Sequence, residues 1–181
     1  MPTVKEVLND TKKRLKEQGI DTYSLDSSLL VSEVTGLTKI QLVTHDRDEV
    51  TEEQLNRLEN LVKERLKNKP MQYILGHCEF MGLDFKVTEN TLIPRGDTEN
   101  IVEEVIATIE NSGYNTVLDM CTGTGAIAIS VAHYTKAKVT ASDISSKALE
   151  VARENAKILN ADVNFIESDL FENIKETFDV L

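Results

Sequence analysis

The chain has 181 residues, 40% of them hydrophobic, with a mean hydropathy of −0.26 and a net charge of −11. That length holds one domain, or a small domain plus part of a larger one. No apolar run approaches the ~18 residues of a membrane span, and MPTVKEVLNDTKKRLKEQG at the N-terminus lacks a signal peptide's apolar block.

A cytoplasmic protein with no membrane partner is therefore expected. Cys78 and Cys121 have no metal-ligand or redox spacing and read as reduced thiols. The charge is uneven. Residues 1–70 carry 12 Lys/Arg against 13 Asp/Glu, and residues 71–181 carry 8 against 18. A chain that tracks phosphates needs the opposite sign. The acidic part argues against direct nucleic-acid binding, and any basic contact surface belongs to the first seventy residues.

Residues 1–70 read as helical. Val4, Val7, Leu8 and Leu15 form a loose stripe stopped at Gly19, and Ser24 is placed to cap a second helix with Leu25, Leu29, Leu30 and Val34 on a core, stopped at Gly36. Ile40, Leu42 and Val43 suggest a short third helix. Thr51 and Gln54 have capping-box spacing ahead of Leu55, Leu58, Leu61, Val62 and Leu66, a long amphipathic helix closed by Pro70.

From Met71 the period changes. Residues 79–87 read as a β-hairpin around Gly82, and Leu92-Ile93-Pro94-Arg95-Gly96 ends a linker, 71–96, too apolar to float in solvent. Asp97 or Thr98 can cap a helix with Ile101, Val102, Val105, Ile106 and Ile109 on one side, stopped at Gly113. Strands and helices then alternate. The strands are 116–118, 138–142, 163–166 and 178–181, and Ser145 caps the helix after the second of them. Such alternation implies right-handed βαβ units and a parallel sheet, an α/β fold of the doubly wound, Rossmann-like kind behind an N-terminal helical bundle.

The segment TVLDMCTGTGAIAIS, 116–130, carries the chemistry. A strand ends at Asp119, Gly123 and Gly125 admit backbone angles forbidden to side chains, and a small apolar helix follows. Ligands bind at such crevices, beyond the carboxyl ends of parallel strands. Asp143 and Asp169 follow the next two strands. Asp143 is placed to accept from ribose hydroxyls and Asp169 from an adenine amine, with Leu170 and Phe171 covering the base. Any one of these carboxylates alone is as well explained as a helix cap. Together with the glycine turn they favour a nucleoside-bearing ligand. Gly123-x-Gly125-x-x-Ala128 also fits a dinucleotide turn, but Asp119 would repel a pyrophosphate and the loop holds no basic residue. S-adenosylmethionine, cationic and without phosphate, suits it better. His45, His77 and His133 share no spacing, so no metal site is expected, and no G-x-S-x-G occurs.

VLDMCTGTGAIAIS, ASD at 141–143 and ESDLF at 167–171 resemble the class I S-adenosylmethionine-dependent methyltransferases. PMQYILGHCEFMGLDFKVTENTLIPRGDTENIV, 70–102, resembles the narrower signature of the HemK/PrmC family, the release factor glutamine methyltransferases. The resemblance implies S-adenosyl-L-methionine as cofactor and peptide-chain release factors as protein substrate, methylated on the glutamine of their Gly-Gly-Gln loop. It implies cofactor contacts from Asp119, Cys121, Thr122, Gly123, Thr124, Gly125, Asp143, Ile144, Asp169 and Leu170, and a place near the site mouth for Arg95, Thr98 and Glu99. By its layout, 1–70 recognises substrate, 71–96 links and 97–181 binds cofactor. Two departures stand out. Gly96-Asp97 replaces the family's frequent Pro-Glu, and Cys121 stands where many methyltransferases have glycine. The family's catalytic Asn-Pro-Pro-Tyr does not occur, the only prolines being Pro2, Pro70 and Pro94. No catalytic residue is therefore assigned, and the chain is expected to bind cofactor without turnover. The alternatives are a DNA or RNA adenine amino-methyltransferase, a non-catalytic binding module and, third, an NAD(P) oxidoreductase.

Overall fold

The computed structural model describes residues 1–181, which divide into two units, Met1–Leu75 and Gly76–Leu181. The first unit contains α1 (Val4–Glu17), α2 (Tyr23–Thr35), α3 (Gln41–Thr44), α4 (Glu52–Leu66) and α5 (Met71–Leu75). Two helices start in reciprocal caps. The hydroxyls of Thr3 and Thr51 accept from the N–H groups of Glu6 and Gln54, whose side chains accept from the threonine N–H groups in return. Leu15, Leu30, Val31, Val50 and Val62 are fully buried among these helices.

Several local expectations for this unit need correction. Leu25 is exposed, because the buried stripe of α2, which keeps the expected Leu30 and Val34, begins one position later, at Asp26 and Ser27. Asp26 can occupy that stripe because Arg65 Nε at 2.8 Å and Thr22 Oγ1 at 2.8 Å donate to its carboxylate. Ser24 lies inside the helix rather than at its cap. Of the third helix's apolar residues only Leu42 is buried; Ile40 and Val43 face solvent. Residues 71–75, read as the start of the linker, form α5, whose Met71, Ile74 and Leu75 pack with the helical core.

The second unit opens with the antiparallel hairpin β1 (His77–Phe80) and β2 (Leu83–Lys86), turning at Met81 and Gly82. A short 3-10 turn (Gly96–Thr98) leads into α6 (Glu99–Ser112), with no side-chain cap from Thr98. The βα alternation follows as β3 (Thr116–Met120), α7 (Ala126–Tyr134), β4 (Lys138–Asp143), α8 (Ser146–Ile158) and β5 (Val163–Glu167). Ser145 caps α8 by accepting from Ala148 N–H. Ile101 is exposed; Val102 and Ile109 carry the buried face of α6.

The sheet is parallel, ordered β3-β4-β5. On the free side of β3, Val180 forms a parallel bridge with Val117, and Leu118 N–H donates to Val180 C=O at 3.0 Å. β3 is thus interior. The chain runs outward from it through β4 to β5, then returns to its other side. A reversal of this kind opens a crevice at the carboxyl end of the strand where it occurs, here β3. No helix is long and apolar enough to cross a membrane.

Candidate functional site

The turn after β3 is built from both sides. Cys121 takes a φ of 63°, Gly123 of 58° and Gly125 of 80°. Cys121 therefore holds a left-handed conformation at a position where glycine would fit without strain. The two glycines answer different needs. A Cβ on Gly125 would stand 2.8 Å from Ile129 Cδ1 and 3.2 Å from Ala152 Cβ, whereas one on Gly123 would meet nothing within 4 Å. Gly125 allows α7 and α8 to close together; Gly123 leaves open space over the turn.

Asp119 lies beneath. Its Oδ2 accepts from Thr122 Oγ1 at 2.6 Å and from Ala128 N–H at 3.1 Å, so it caps α7 from the end of β3. Burial pushes its pKa up; the two hydrogen bonds oppose that shift and the nearby Asp143 charge adds to it. Asp143 holds the turn from the β4 side, with Oδ2 accepting from Gly123 N–H at 2.9 Å and Oδ1 from Ser145 N–H at 2.9 Å. Thr122 N–H donates to Ser142 C=O and Ser168 N–H to Asp143 C=O, which joins the ends of the three strands into one rim.

Ile144, Asp169 and Leu170 occupy the β4 and β5 part of that rim. Ile144 and Leu170 are 66% and 55% exposed, and Phe171 beside them is 57% exposed, which gives the rim an apolar surface. Thr124 is buried and passes its carbonyl inward to Asn155. On the other side of the turn, Cys121, Thr122, Gly123, Thr124, Ala126 and Ile127 face Phe80, Leu92, Ile93, Pro94, Arg95 and Thr98 across a cavity of ≈ 150 Å³. Arg95 and Thr98 thus line the cavity. Arg95 is exposed and its partner is Asp97 at 3.5 Å. Glu99 faces the hairpin and accepts from Met81 N–H at 2.7 Å.

The turn brings together all the glycine-loop residues marked in the sequence, with Asp143 joined directly to them and Asp169 further along the rim. Sequence reading missed the apolar wall formed by Phe80, Leu92, Ile93 and Pro94, which periodicity cannot place. It also missed Asn155, for which a signal existed: a polar residue on the apolar stripe of Ala148, Val151, Ala152 and Ala156. Chemically, the rim offers carboxylates and exposed apolar side chains, its cavity one arginine already paired. It suits a ligand with hydroxyls, a flat apolar ring and positive charge, and disfavours phosphate.

Residues 100–181 match the family model described as methyltransferase small domain, so the second unit belongs to the methyltransferase class of doubly wound α/β folds. Residues 6–76 match the model of the PrmC N-terminal domain. The chain belongs to the HemK/PrmC family. A release factor glutamine methyltransferase of Fusobacterium nucleatum is 42% identical over 177 residues, covering 96% of this chain and 50% of the relative. One from Clostridium acetobutylicum is 41% identical over 172 residues, covering 93% and 60%. The chain thus spans about half to three-fifths of the length of these relatives. Among solved structures, the S-adenosyl-L-homocysteine complex of Pyrococcus abyssi tRNA (uracil-54, C5)-methyltransferase is 26% identical at a TM-score of 0.49, covering 57% of this chain and 26% of that one.

Proposed function

We propose that this chain forms the S-adenosylmethionine-binding part of a methyltransferase that modifies the glutamine side-chain amide in the Gly-Gly-Gln loop of peptide-chain release factors. The observation that carries the cofactor reading is the turn at 121–125. It leaves open space at Gly123, is held by two carboxylates and contains no basic residue. Charge decides between cofactors of similar shape. A pyrophosphate over Asp119 and Asp143 would be repelled, and a sulfonium or ammonium attracted.

The cavity of ≈ 150 Å³ is smaller than a whole nucleoside-bearing ligand requires. It suits the amino-acid end, leaving the nucleoside along the rim. There Asp143 accepts from ribose hydroxyls through its remaining lone pairs, and Ile144, Leu170 and Phe171 cover the base, with Asp169 accepting from its amine. Asp119 Oδ1, outside its two capping bonds, is the acceptor we assign to the ammonium side. When bound, the cofactor supplies an electrophilic methyl group on a sulfonium. The protein's task is then to hold that methyl in line with an amide nitrogen whose lone pair is delocalised, which is positioning more than proton transfer.

The release-factor substrate is supported by family membership and by the names of the relatives. We assign substrate recognition to the helical unit, 1–75, linking to 76–96 and cofactor binding to 97–181. Calorimetric titration of the chain with S-adenosylmethionine, S-adenosylhomocysteine and NADH tests the cofactor. Heat with the first two and none with NADH is expected; heat with NADH alone would overturn the reading. For the substrate, radiolabelled methyl transfer to a release factor, using a protein of the relatives' full length, should vanish when the Gly-Gly-Gln glutamine becomes alanine. Labelling that survives that change would refute the glutamine assignment.

A further inference from the structure

Asn155 sits where an apolar residue belongs. α8 buries Ala148, Leu149, Val151, Ala152 and Ala156, and Asn155 shares their burial completely. A buried amide is costly unless its donors and acceptor are matched. Here all are used. Its Oδ1 accepts from Lys86 N–H at 2.8 Å, and its Nδ2 donates to Lys86 C=O at 3.0 Å and to Thr124 C=O at 3.0 Å. To Lys86 the side chain offers an acceptor and a donor together, as a neighbouring strand would. To Thr124 it offers a donor for a carbonyl that lies between two residues of positive φ.

One side chain therefore ties the glycine turn, one wall of the cavity, to the end of β2, from which the chain continues to the other wall. The chain leaves β2 at Lys86, turns where Thr91 N–H donates to Thr88 C=O, and reaches Leu92, Ile93 and Pro94. The adjacent Lys86–Glu154 ion pair is on the surface, where such pairs contribute little. The buried amide is the specific link.

We infer that Asn155 is a positioning residue for the cofactor site: it sets the spacing of the glycine turn and the Leu92–Pro94 wall through Thr124 and Lys86, without touching the ligand. This rests on reading the turn as the S-adenosylmethionine loop. A chain whose turn and wall are uncoupled keeps its nucleoside rim, which Asp143 supports independently, and loses its hold on the amino-acid end.

The test is calorimetry on the 1–181 chain with two ligands, S-adenosylhomocysteine and 5′-methylthioadenosine, which lacks the amino-acid end. Asn155→Ala and Asn155→Asp should each weaken S-adenosylhomocysteine about tenfold or more and methylthioadenosine by less than about threefold. The aspartate keeps the acceptor for Lys86 N–H but replaces the donor to both carbonyls with a carboxylate oxygen, so it should weaken S-adenosylhomocysteine at least as much as alanine does. Equal weakening of both ligands would indicate general loosening and overturn the proposal, as would wild-type affinity in the aspartate variant.

Should neither variant fold, the unaltered chain decides. S-adenosylhomocysteine should slow amide exchange at Lys86, held by Asn155, more than at Val87, held by Gly76 C=O. Equal slowing, or none, would overturn the link. If the unaltered chain binds neither ligand, the cofactor reading itself fails and this proposal falls with it.

Discussion

Alanine at Gly123 and at Gly125 should have opposite consequences, although the two residues are two apart and both have positive φ. At Gly125 two costs add. The left-handed backbone disfavours a Cβ by roughly 1–2 kcal/mol. The Cβ would also lie 2.8 Å from Ile129 Cδ1 and 3.2 Å from Ala152 Cβ. Ile129 is fully buried, so its methyl can yield only by disturbing neighbours, an overpacking cost of about 1–3 kcal/mol. Together these make roughly 2–5 kcal/mol, a large part of the 5–15 kcal/mol that holds a typical domain. At Gly123 only the backbone term applies, and at both positions the smaller unfolded-state entropy of alanine offsets about 0.4–1 kcal/mol. The stability loss at Gly123 should be about 0–1.6 kcal/mol. The space its Cβ fills, however, is the space over the turn. Native-state amide exchange in β3 and α7 reads the stability of the second unit, and calorimetry with S-adenosylhomocysteine reads binding. Gly125→Ala should lose much protection. Gly123→Ala should keep its protection and lose about tenfold or more in affinity. A larger stability loss at Gly123 than at Gly125 would refute the packing argument. Undiminished affinity in Gly123→Ala would refute the view that ligand approaches the backbone there.

Further predictions concern charge and capping. Burial raises the Asp119 pKa above that in the unfolded chain. Its contribution is therefore full below the ordinary Asp pKa and declines as pH rises through the raised value. Asp119→Asn should flatten that decline in thermal melts across this range while weakening S-adenosylhomocysteine; an unchanged pH profile would count against desolvation as the cause. Asp179 has the opposite sign. Backbone N–H groups of Asn115 and Thr116 and the Thr116 hydroxyl lower its pKa, so its contribution is present above the ordinary Asp value and lost as pH falls through the lowered one. Asp179→Asn should make exchange at Leu118 N–H less acid-sensitive, and an identical acid profile would sink the assignment. In the first unit, Thr51→Ala removes the cap of α4 and should cost about 1 kcal/mol by urea unfolding; no loss would mean that the cap contributes nothing.

The elements legible in the sequence were those governed by local rules. The capping box at Thr51, the Gly36 and Gly113 stops, the hairpin around Gly82 and the βα alternation all follow from neighbouring residues. The strained backbone at Cys121 was also readable, as a side chain standing where the turn favours glycine. Leu25 and Ile101 were misplaced because a helical stripe is broad: each is the exposed first member of a stripe whose Leu30 and Val34, or Val102 and Ile109, are buried, and at its start the α2 stripe is displaced to Asp26. In α2 the displacement depends on Arg65, 39 residues from Asp26, which no window around α2 includes. The same holds for the site. Asp119 could be seen to sit under the turn, but its capping of Ala128 across nine residues required the fold. The wall at Leu92–Pro94 and the bonds of Asn155 to residues 31 and 69 positions away are through-space facts that periodicity does not encode.

The bridge between Val117 and Val180 bears on how the chain assembles during synthesis. β4 and β5 can pair soon after they leave the ribosome, since each joins the strand before it. The second flank of β3 must wait for residues 63 positions later, a closure whose entropy is lost before any contact repays it. Until then the strand that ends in the glycine turn is a bare edge, open to pairing with another nascent chain. A chaperone that shields this edge should raise the soluble yield more than one that shields the helical unit.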